Sequence, residues 1–441
     1  MASRTGRVVI AVLPAGSRLR VRRARRRGAR LVREQVHAAA TQMRRVPVPD
    51  PVRRHLVTPL VWESSTTTVP IDSLLLGGQN GLDGHDYAQA TGDLLWTSRR
   101  VADGPHVALL RSVAAGRSSD HDLLSSEFAA MARRCIDVSG SYVGATGDAG
   151  ILRIARGFVD PAGREALDDP AVTAPGVPVL AVPIQDSDCF QVVDGHHRLA
   201  RMVVAGETEA AVRLRRRPVT TALQDRLDAM SWIGGERELY QPVEAPELEQ
   251  SWATVRRCTD RLDKMHAQLT SLGIGRADYL DVASCYGWFL AAMSQVGHEV
   301  RGVERDPLAP TLGAAVYGLD PSCVTTADAV DFLRDQPRTY DVVSCFSLLH
   351  HFALGRASVS AECLVRLLDD VTGRVLFLDT GQAHEAWFAD SLPEWDTDHV
   401  RDFLVRHTSF DRVIDLGPDD DAVAPYSHNY GRHLFACVRD T

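Results

Sequence analysis

Apolar and polar positions follow two different rhythms along this chain. From about Asp278 onward, short apolar runs of strand length take turns with stretches whose apolar residues recur every three to four positions. YLDVAS (279–284) reads as a strand, GWFLAAMSQVG (287–297) as a helix and EVRGVER (299–305) as a strand. LAPTLGAAVYG (308–318) reads as a helix, CVTTAD (323–328) as a short strand, AVDFLRDQ (329–336) as a helix and YDVVSCFSLL (340–349) as a strand. A helix over SAECLVRLLDDV (360–371) and a strand over RVLFLDT (374–380) continue the alternation. Such a pattern demands an α/β fold, a mostly parallel sheet with helices on both faces. Ligands of these sheets bind beyond the carboxyl ends of the strands, near the point where strand order reverses.

Upstream the rhythm is mixed. TTTVPIDSLLL (66–76) reads as strand then turn, and HVALLRSVAAG (106–116) as a helix ending at glycine. VPVLAVPI (177–184) and CFQVV (189–193) are β-rich, and DGHHRLARMVVAGE (194–207) opens a helix. From residue 222 to 273 the pattern turns helical, with LQDRLDAM (223–230) and WATVRRCTDRLDKMHAQLTSLG (252–273) as amphipathic stretches. Prolines 47, 49 and 51 prevent a continuous helix and mark a boundary. The expected division is a basic arm over 1–60, an α+β domain over 61–217, a helical connector over 218–275 and the α/β domain over 276–441.

At 441 residues the chain exceeds the size of one hydrophobic core, which agrees with several domains. An apolar fraction of 45% and a charged fraction of 24% are those of an ordinary globular protein. The net charge of -8 gives no reason to expect nucleic acid as partner of the whole molecule. Charge is unevenly spread, however, because RLRVRRARRRGARLVR (18–33) is nearly pure arginine and small apolar residues. Such a block either contacts an anionic membrane surface or nucleic acid, or stays a solvated tail. The eight cysteines show no CxxC and no close Cys/His pairing, so neither a zinc site nor a disulfide scaffold is expected. VVIAVL (8–13) is too short for a membrane span, and the arginines follow it instead of preceding it. A cytoplasmic protein is expected, with peripheral membrane contact through the arginine block as an option.

Chemistry concentrates at the strand ends of the last domain. The first strand runs into Asp281-Val282-Ala283-Ser284-Cys285-Tyr286-Gly287, an acidic residue and a turn of small residues opening a helix. Glu304 ends the second strand some twenty residues on, where a carboxylate in a nucleoside-binding βαβ unit accepts from ribose hydroxyls. Asp328 follows the third strand, and Ser347, His350 and His351 follow the fourth. Together these elements resemble class I S-adenosylmethionine-dependent methyltransferases, with a Rossmann-like fold. The resemblance implies cofactor contacts from Asp281, Ala283, Ser284, Gly287, Glu304, Asp328 and Ser347. It departs from the family in having Ala283 and Ser284 where glycines are usual. The full GxGxxG turn that phosphate-bearing dinucleotides require is absent, which favours S-adenosyl-L-methionine over NAD. A histidine at the fourth strand's end suits a general base, with His350 ahead of His351; packing over the cofactor is the other reading. Further on, Gln382, His384, Glu385, Trp387, Tyr426, His428, Asn429, Tyr430 and Arg432 form an insertion suited to a polar acceptor, a small molecule or glycan hydroxyl.

A second motif stands upstream. Asp194-Gly195-His196-His197-Arg198 follows the CFQVV strand and resembles the ParB/sulfiredoxin-like nucleotide-binding superfamily, which includes free-serine kinases bearing DGHHR. That resemblance implies phosphate binding at a helix start by these five residues, with ATP or ADP and Mg2+ as cofactors and Asp194 or Glu63 as base. The bland alternative is a helix whose aspartate caps its own first turn. Two functions follow for the whole chain. One is a methyltransferase with a nucleotide-handling, kinase-like domain; the other is a nucleotide-sensing or DNA-associated regulator with a degenerate methyltransferase domain.

Overall fold

The computed structural model describes residues 62–63, 65–80, 82–160, 178–230 and 237–440. The arginine block at 18–33 and the prolines after it lie outside the described residues. Two compact units form: one holds residues 62–83 and 100–220, the other 84–99, 221–230 and 237–440. The connector expected over 218–275 is therefore not a separate piece. Its apolar residues Leu223, Leu227, Leu239, Leu248 and Trp252 pack with Tyr286 and Leu312 in the core of the second unit. Residues 84–99, expected in the earlier domain, belong to the second unit for the same reason, with Leu94 and Leu95 against that cluster.

The first unit is built on a five-stranded mixed sheet of order β1-β5-β3-β4-β2. Its strands are β1 (Thr67–Pro70), β2 (Leu74–Leu75), β3 (Val179–Pro183), β4 (Phe190–Asp194) and β5 (Glu209–Leu214). Between β2 and β3 the first unit carries, among other helical segments, α1 (Pro105–Ala114), α2 (Glu127–Ser139) and α3 (Asp148–Val159). This segregation is an α+β arrangement. Ser126 caps α2 by accepting from the Ala129 N–H, and Gly140 in the left-handed region stops it. On α3, Ile151, Ile154, Ala155 and Phe158 are buried at helical spacing. A further helix, α4 (His196–Val204), leaves β4 at Gly195.

In the second unit a short parallel pair, β6 (Glu238–Leu239) and β7 (Ala253–Thr254), precedes helix α5 (Thr259–Ser271). The helix expected from residue 252 thus begins seven residues later, because the chain first pairs with β6 and then turns at Cys258, whose φ is +68°. The main sheet follows: β8 (Asp278–Val282), α6 (Trp288–Gln295), β9 (Glu299–Glu304), α7 (Ala309–Tyr317), β10 (Val324–Thr326), α8 (Ala329–Arg334) and β11 (Tyr340–Cys345). Then come α9 (Leu349–Ala353), α10 (Ala361–Val371), β12 (Thr372–Leu378), α11 (Thr397–His407), β13 (Arg412–Pro418) and β14 (His433–Val438). The part of the expected insertion from 397 to 418 is in fact a regular helix and strand. Val400, Phe403 and Leu404 give α11 its buried stripe.

Strand order is β10-β9-β8-β11-β12-β14-β13, parallel as far as β12, with β14 antiparallel to both its neighbours. The chain moves outward from β8 through β9 to β10, then returns to the other side of β8 at β11. The switch point therefore lies between β8 and β11. Pleating sends successive side chains to opposite faces. Leu280, Val343 and Leu376 join one core with residues of α10 and α11. Tyr279, Val342 and Val375 join the other with residues of α5 and α6.

Helix α7 lies against the loop after β8 so closely that a Cβ on Gly313 would stand 2.4 Å from the Tyr286 carbonyl oxygen. Gly313→Ala should force helix and loop apart and lower stability by about 1–3 kcal/mol, measured by urea denaturation; an unchanged midpoint would contradict this packing.

Candidate active site

At the switch point the backbone between β8 and α6 takes three left-handed residues, Ala283 (φ +60°), Cys285 (φ +58°) and Gly287 (φ +89°). Two of these carry side chains, and non-glycine residues hold such angles only where their surroundings over-determine them. Glu304, buried at the end of β9, supplies much of that determination. Its Oε2 accepts from the Cys285 N–H at 3.1 Å, and its Oε1 from the Arg305 and Asp306 N–H groups at 2.8 and 3.1 Å. From the other side the Gln241 amide accepts from the Trp288 N–H at 3.1 Å and donates to the Ser284 carbonyl at 3.2 Å. Glu304 thus spends three of the roughly four acceptor positions of a carboxylate on backbone. One is left for a ligand, where the motif implied acceptance from both ribose hydroxyls. Burial raises the Glu304 pKa above the ordinary carboxylate range.

Asp281 lies beneath the turn, 2% exposed. Ser344 on β11 donates to it at 2.6 Å, and Ser344 in turn meets the Tyr279 hydroxyl at 2.6 Å. Desolvation pushes the Asp281 pKa up to about 7. The Ser284 hydroxyl is buried and has no hydrogen-bond partner among the described residues. Asp328 is exposed and caps α8, accepting from the Val330 N–H at 2.9 Å.

Beyond β11 and β12 lies a buried polar cluster. Asp379, at the end of β12, accepts from the Ser347 N–H at 2.6 Å, from Arg256 at 3.1 Å and from Arg261 at 3.1 Å. These two guanidiniums, together with Arg432, hold the Asp379 carboxyl far below its ordinary range despite its burial. Arg256 also donates to Asp419 at 2.6 Å, and Arg261 to Asp421 at 2.7 Å. Arg432 grips Glu385 through two bonds of 2.8 Å, and the Trp387 indole donates to the same carboxylate at 2.7 Å. Tyr430 lies under both Arg256 and Arg432, whose guanidinium carbons are 5.1 and 4.8 Å from its ring centre. Of the expected acceptor-side residues, Glu385, Trp387, Tyr430 and Arg432 are therefore gathered here. Gln382 joins through its side-chain oxygen, which accepts from the His433 N–H at 3.0 Å. His384 contacts the Tyr430 carbonyl at 3.0 Å, Asn429 accepts from the Ala386 N–H at 3.3 Å, and the Tyr426 hydroxyl donates to Glu238. Of the His428 side chain nothing is described.

His350 is 4% exposed and its Nδ1 accepts from the Gly381 N–H at 3.1 Å. A backbone N–H can only donate, so the proton of the neutral ring sits on Nε2. Burial, with Arg432 nearby, keeps the ring's pKa well below its ordinary value. His350 is therefore a neutral donor, not a proton acceptor. His351 lies tilted against it at 4.3 Å between ring centres and is an exposed residue; desolvation of its ring and the Arg356 charge also lower its pKa. The Phe388 ring packs where a side chain on residue 381 would stand, which requires Gly381.

Tyr240, Gln241, Arg256, Arg261, Asp379, Asp419 and Asp421 were not marked out by motif. One signal was available, since Asp379 directly follows the apolar run of β12, at a strand's carboxyl end.

The DGHHR segment sits in the first unit. Gly195 has φ +109°, and no side chain caps the start of α4. A self-capping aspartate is thus not what the structure contains: Asp194 pairs with Arg198 at 3.0 Å, one helical turn on. His196 turns inward, its Nε2 accepting from the Gly77 N–H at 3.3 Å. His197 packs edge-on against Phe158 at 4.6 Å and His106 at 4.7 Å. Burial pushes the His196 pKa down to about 4 and, with the neighbouring imidazole and arginines, that of His197 to about 3. Glu63 is tied by its backbone N–H to the Leu214 carbonyl at 2.9 Å. Among the described residues no cluster suited to a metal ion and no helix able to cross a membrane is found.

No known protein family and no curated protein matches the chain by sequence. Among solved structures it is similar to WbdD, a bifunctional kinase-methyltransferase, at 18% identity and a TM-score of 0.37, over 46% of this chain and 44% of that one. The match thus spans less than half of WbdD. Magnesium protoporphyrin IX methyltransferase (ChlM) from Synechocystis PCC 6803, with bound SAM, is similar at 19% identity and a TM-score of 0.30, over 41% of this chain and 78% of that one. The methyltransferase domain of bacterial CtHen1-C is similar at 12% identity and a TM-score of 0.31, over 41% and 98%.

The buried imidazoles make the first unit acid-sensitive. Their folded pKa values lie below the unfolded value of about 6.5, so the unfolded chain binds more protons and stability falls as pH drops below that value. By pH 5 His196 and His197 should together cost about 4 kcal/mol. Denaturation midpoints measured from pH 7.5 to 5 should fall steadily, and His197→Phe should flatten the slope. A midpoint independent of pH would contradict the buried neutral state.

Proposed function

We propose that the second unit is an S-adenosyl-L-methionine-dependent methyltransferase acting on a hydroxyl of a polar small molecule or glycan. One observation carries the reading. At the switch point, where ligands of such sheets bind, Glu304 and the strained turn at 283–287 form one hydrogen-bonded unit. The carboxylate's remaining acceptor position suits a nucleoside hydroxyl, the buried Ser284 hydroxyl has a donor and lone pairs to offer, and Asp328 stands at the next strand end. The bound cofactor would supply an electrophilic methyl on sulfur. Asp281 is the group to face the cofactor's ammonium. The acceptor oxygen would take the methyl as the carbon–sulfur bond breaks with its electron pair left on sulfur, and His351 is the group assigned to receive the hydroxyl proton, because the His350 ring is fixed as a donor.

Calorimetry with S-adenosylhomocysteine tests this. Glu304→Gln should weaken binding about tenfold or more, the loss expected for a hydrogen bond to a charged group. A cation beside Asp281 should also draw its pKa down from about 7. Binding at pH 7 should therefore release protons, seen as a heat that depends on the buffer and disappears in Asp281→Asn. No binding by the unaltered chain would sink the reading. Labelled methyl reaching only protein or RNA, and no carbohydrate or small molecule, would sink the acceptor class.

For the first unit, the uncapped start of α4 after Gly195 supports binding of ATP or ADP with Mg2+ near Asp194, Gly195 and Arg198. Asp194 is half exposed, so Asp194→Ala should fold and lose nucleotide affinity. Calorimetry showing the same affinity in this variant would remove the nucleotide role.

A further inference from the structure

The Ser347 hydroxyl, just past β11 in the second unit, is an unusual focus. The Tyr240 O–H, Arg256 Nη1 at 3.0 Å and Arg432 Nη1 at 2.7 Å all donate to it. Its own proton goes to Asp379 at 3.1 Å. A hydroxyl oxygen has two lone pairs, so three donors oversubscribe it. Donors converging in this way suit an oxygen with more acceptor directions and a negative charge. The two guanidiniums are nearly fully buried and fixed by Asp379, Asp419 and Glu385. Little would have to be ordered when a ligand arrives. Arg256 Nε is buried without a partner among the described residues, a further sign that this donor set exceeds the acceptors around it. Tyr240 and Ser347 are both partly exposed.

We propose that Tyr240, Arg256 and Arg432 form an oxyanion-recognition site for the acceptor, which therefore carries a carboxylate or phosphate beside the hydroxyl that is methylated. The ligand oxygen takes over the donors that Ser347 now holds. The three buried arginines of this cluster face four carboxylates, so recognition rests on short-ranged, directional hydrogen bonds and not on net charge. This inference rests on the methyltransferase reading.

Calorimetry on the full chain, with and without saturating S-adenosylhomocysteine, would compare glucuronate, glucose 6-phosphate and glucose. One of the two anionic sugars should bind at least tenfold tighter than glucose, and which one does so separates carboxylate from phosphate. Tyr240→Phe should weaken that binding about tenfold. Ser347→Ala, which removes the competing oxygen, should tighten it several-fold; a merely structural contact would not move affinity in opposite directions in the two variants. Equal binding of all three sugars, or weaker anion binding in Ser347→Ala, would overturn the site. Loss of anion binding on saturation with S-adenosylhomocysteine would hand the donors to that ligand's own carboxylate and overturn it too. If the anion preference persists while S-adenosylhomocysteine fails to bind, the methyltransferase reading falls and the oxyanion site stands.

Discussion

The carboxylate of Asp379 is the constraint on which the buried polar cluster of the second unit depends. It sits at the end of β12, and through it the end of β11, helix α5 and the segment before that helix are held in one place. Two arginines carry full charge out of water to reach it, and removing the carboxylate would leave Arg256 with Asp419 and Arg261 with Asp421 as their remaining carboxylate partners. Breaking such a buried pair is far more damaging than the pair's own net worth. The arrangement is better understood as positioning than as a source of stability.

Glu304 plays a parallel part on the other side of the switch point. Its oxygens collect the backbone N–H groups of the turn at 283–287 and of the residues following β9. A glycine-rich loop would reach left-handed angles without strain. Here Ala283 and Cys285 adopt them because the carboxylate and the Gln241 amide hold the loop from two sides. The poverty of glycine in this turn is thus compensated by side-chain hydrogen bonding, and the fold does not require the glycines that the motif lacks.

Much of this architecture was legible in the chain. Short apolar runs such as VVSC in β11 and VLFL in β12 read as strands buried on both faces, and their alternation with helical stretches points to a parallel sheet. The positions of Asp281 and Glu304 near strand ends, and of Asp328 just past one, were readable from the same alternation. The arginine network was not. Arg256 and Arg261 lie in a stretch whose charges look like a solvated helix face, and their burial depends on Asp379, Asp419 and Asp421, more than a hundred residues later. In the same way DGHHR reads as an exposed phosphate loop, while the structure turns His196 toward Gly77 and sets His197 against His106 and Phe158. Sequence spacing reports neighbours along one element and is silent on what packs across from it.

The position of β14 has a consequence for how the sheet is completed. It follows β13 in the chain yet lies between β12 and β13, antiparallel to both. Until β14 is in place, β12 has an open edge and β13 has no strand to pair with. Assembly of this half of the sheet is therefore ordered by topology, and the late-arriving strand closes two ladders at once. An intermediate lacking it exposes the apolar, hydrogen-bond-hungry margin that invites pairing with another chain.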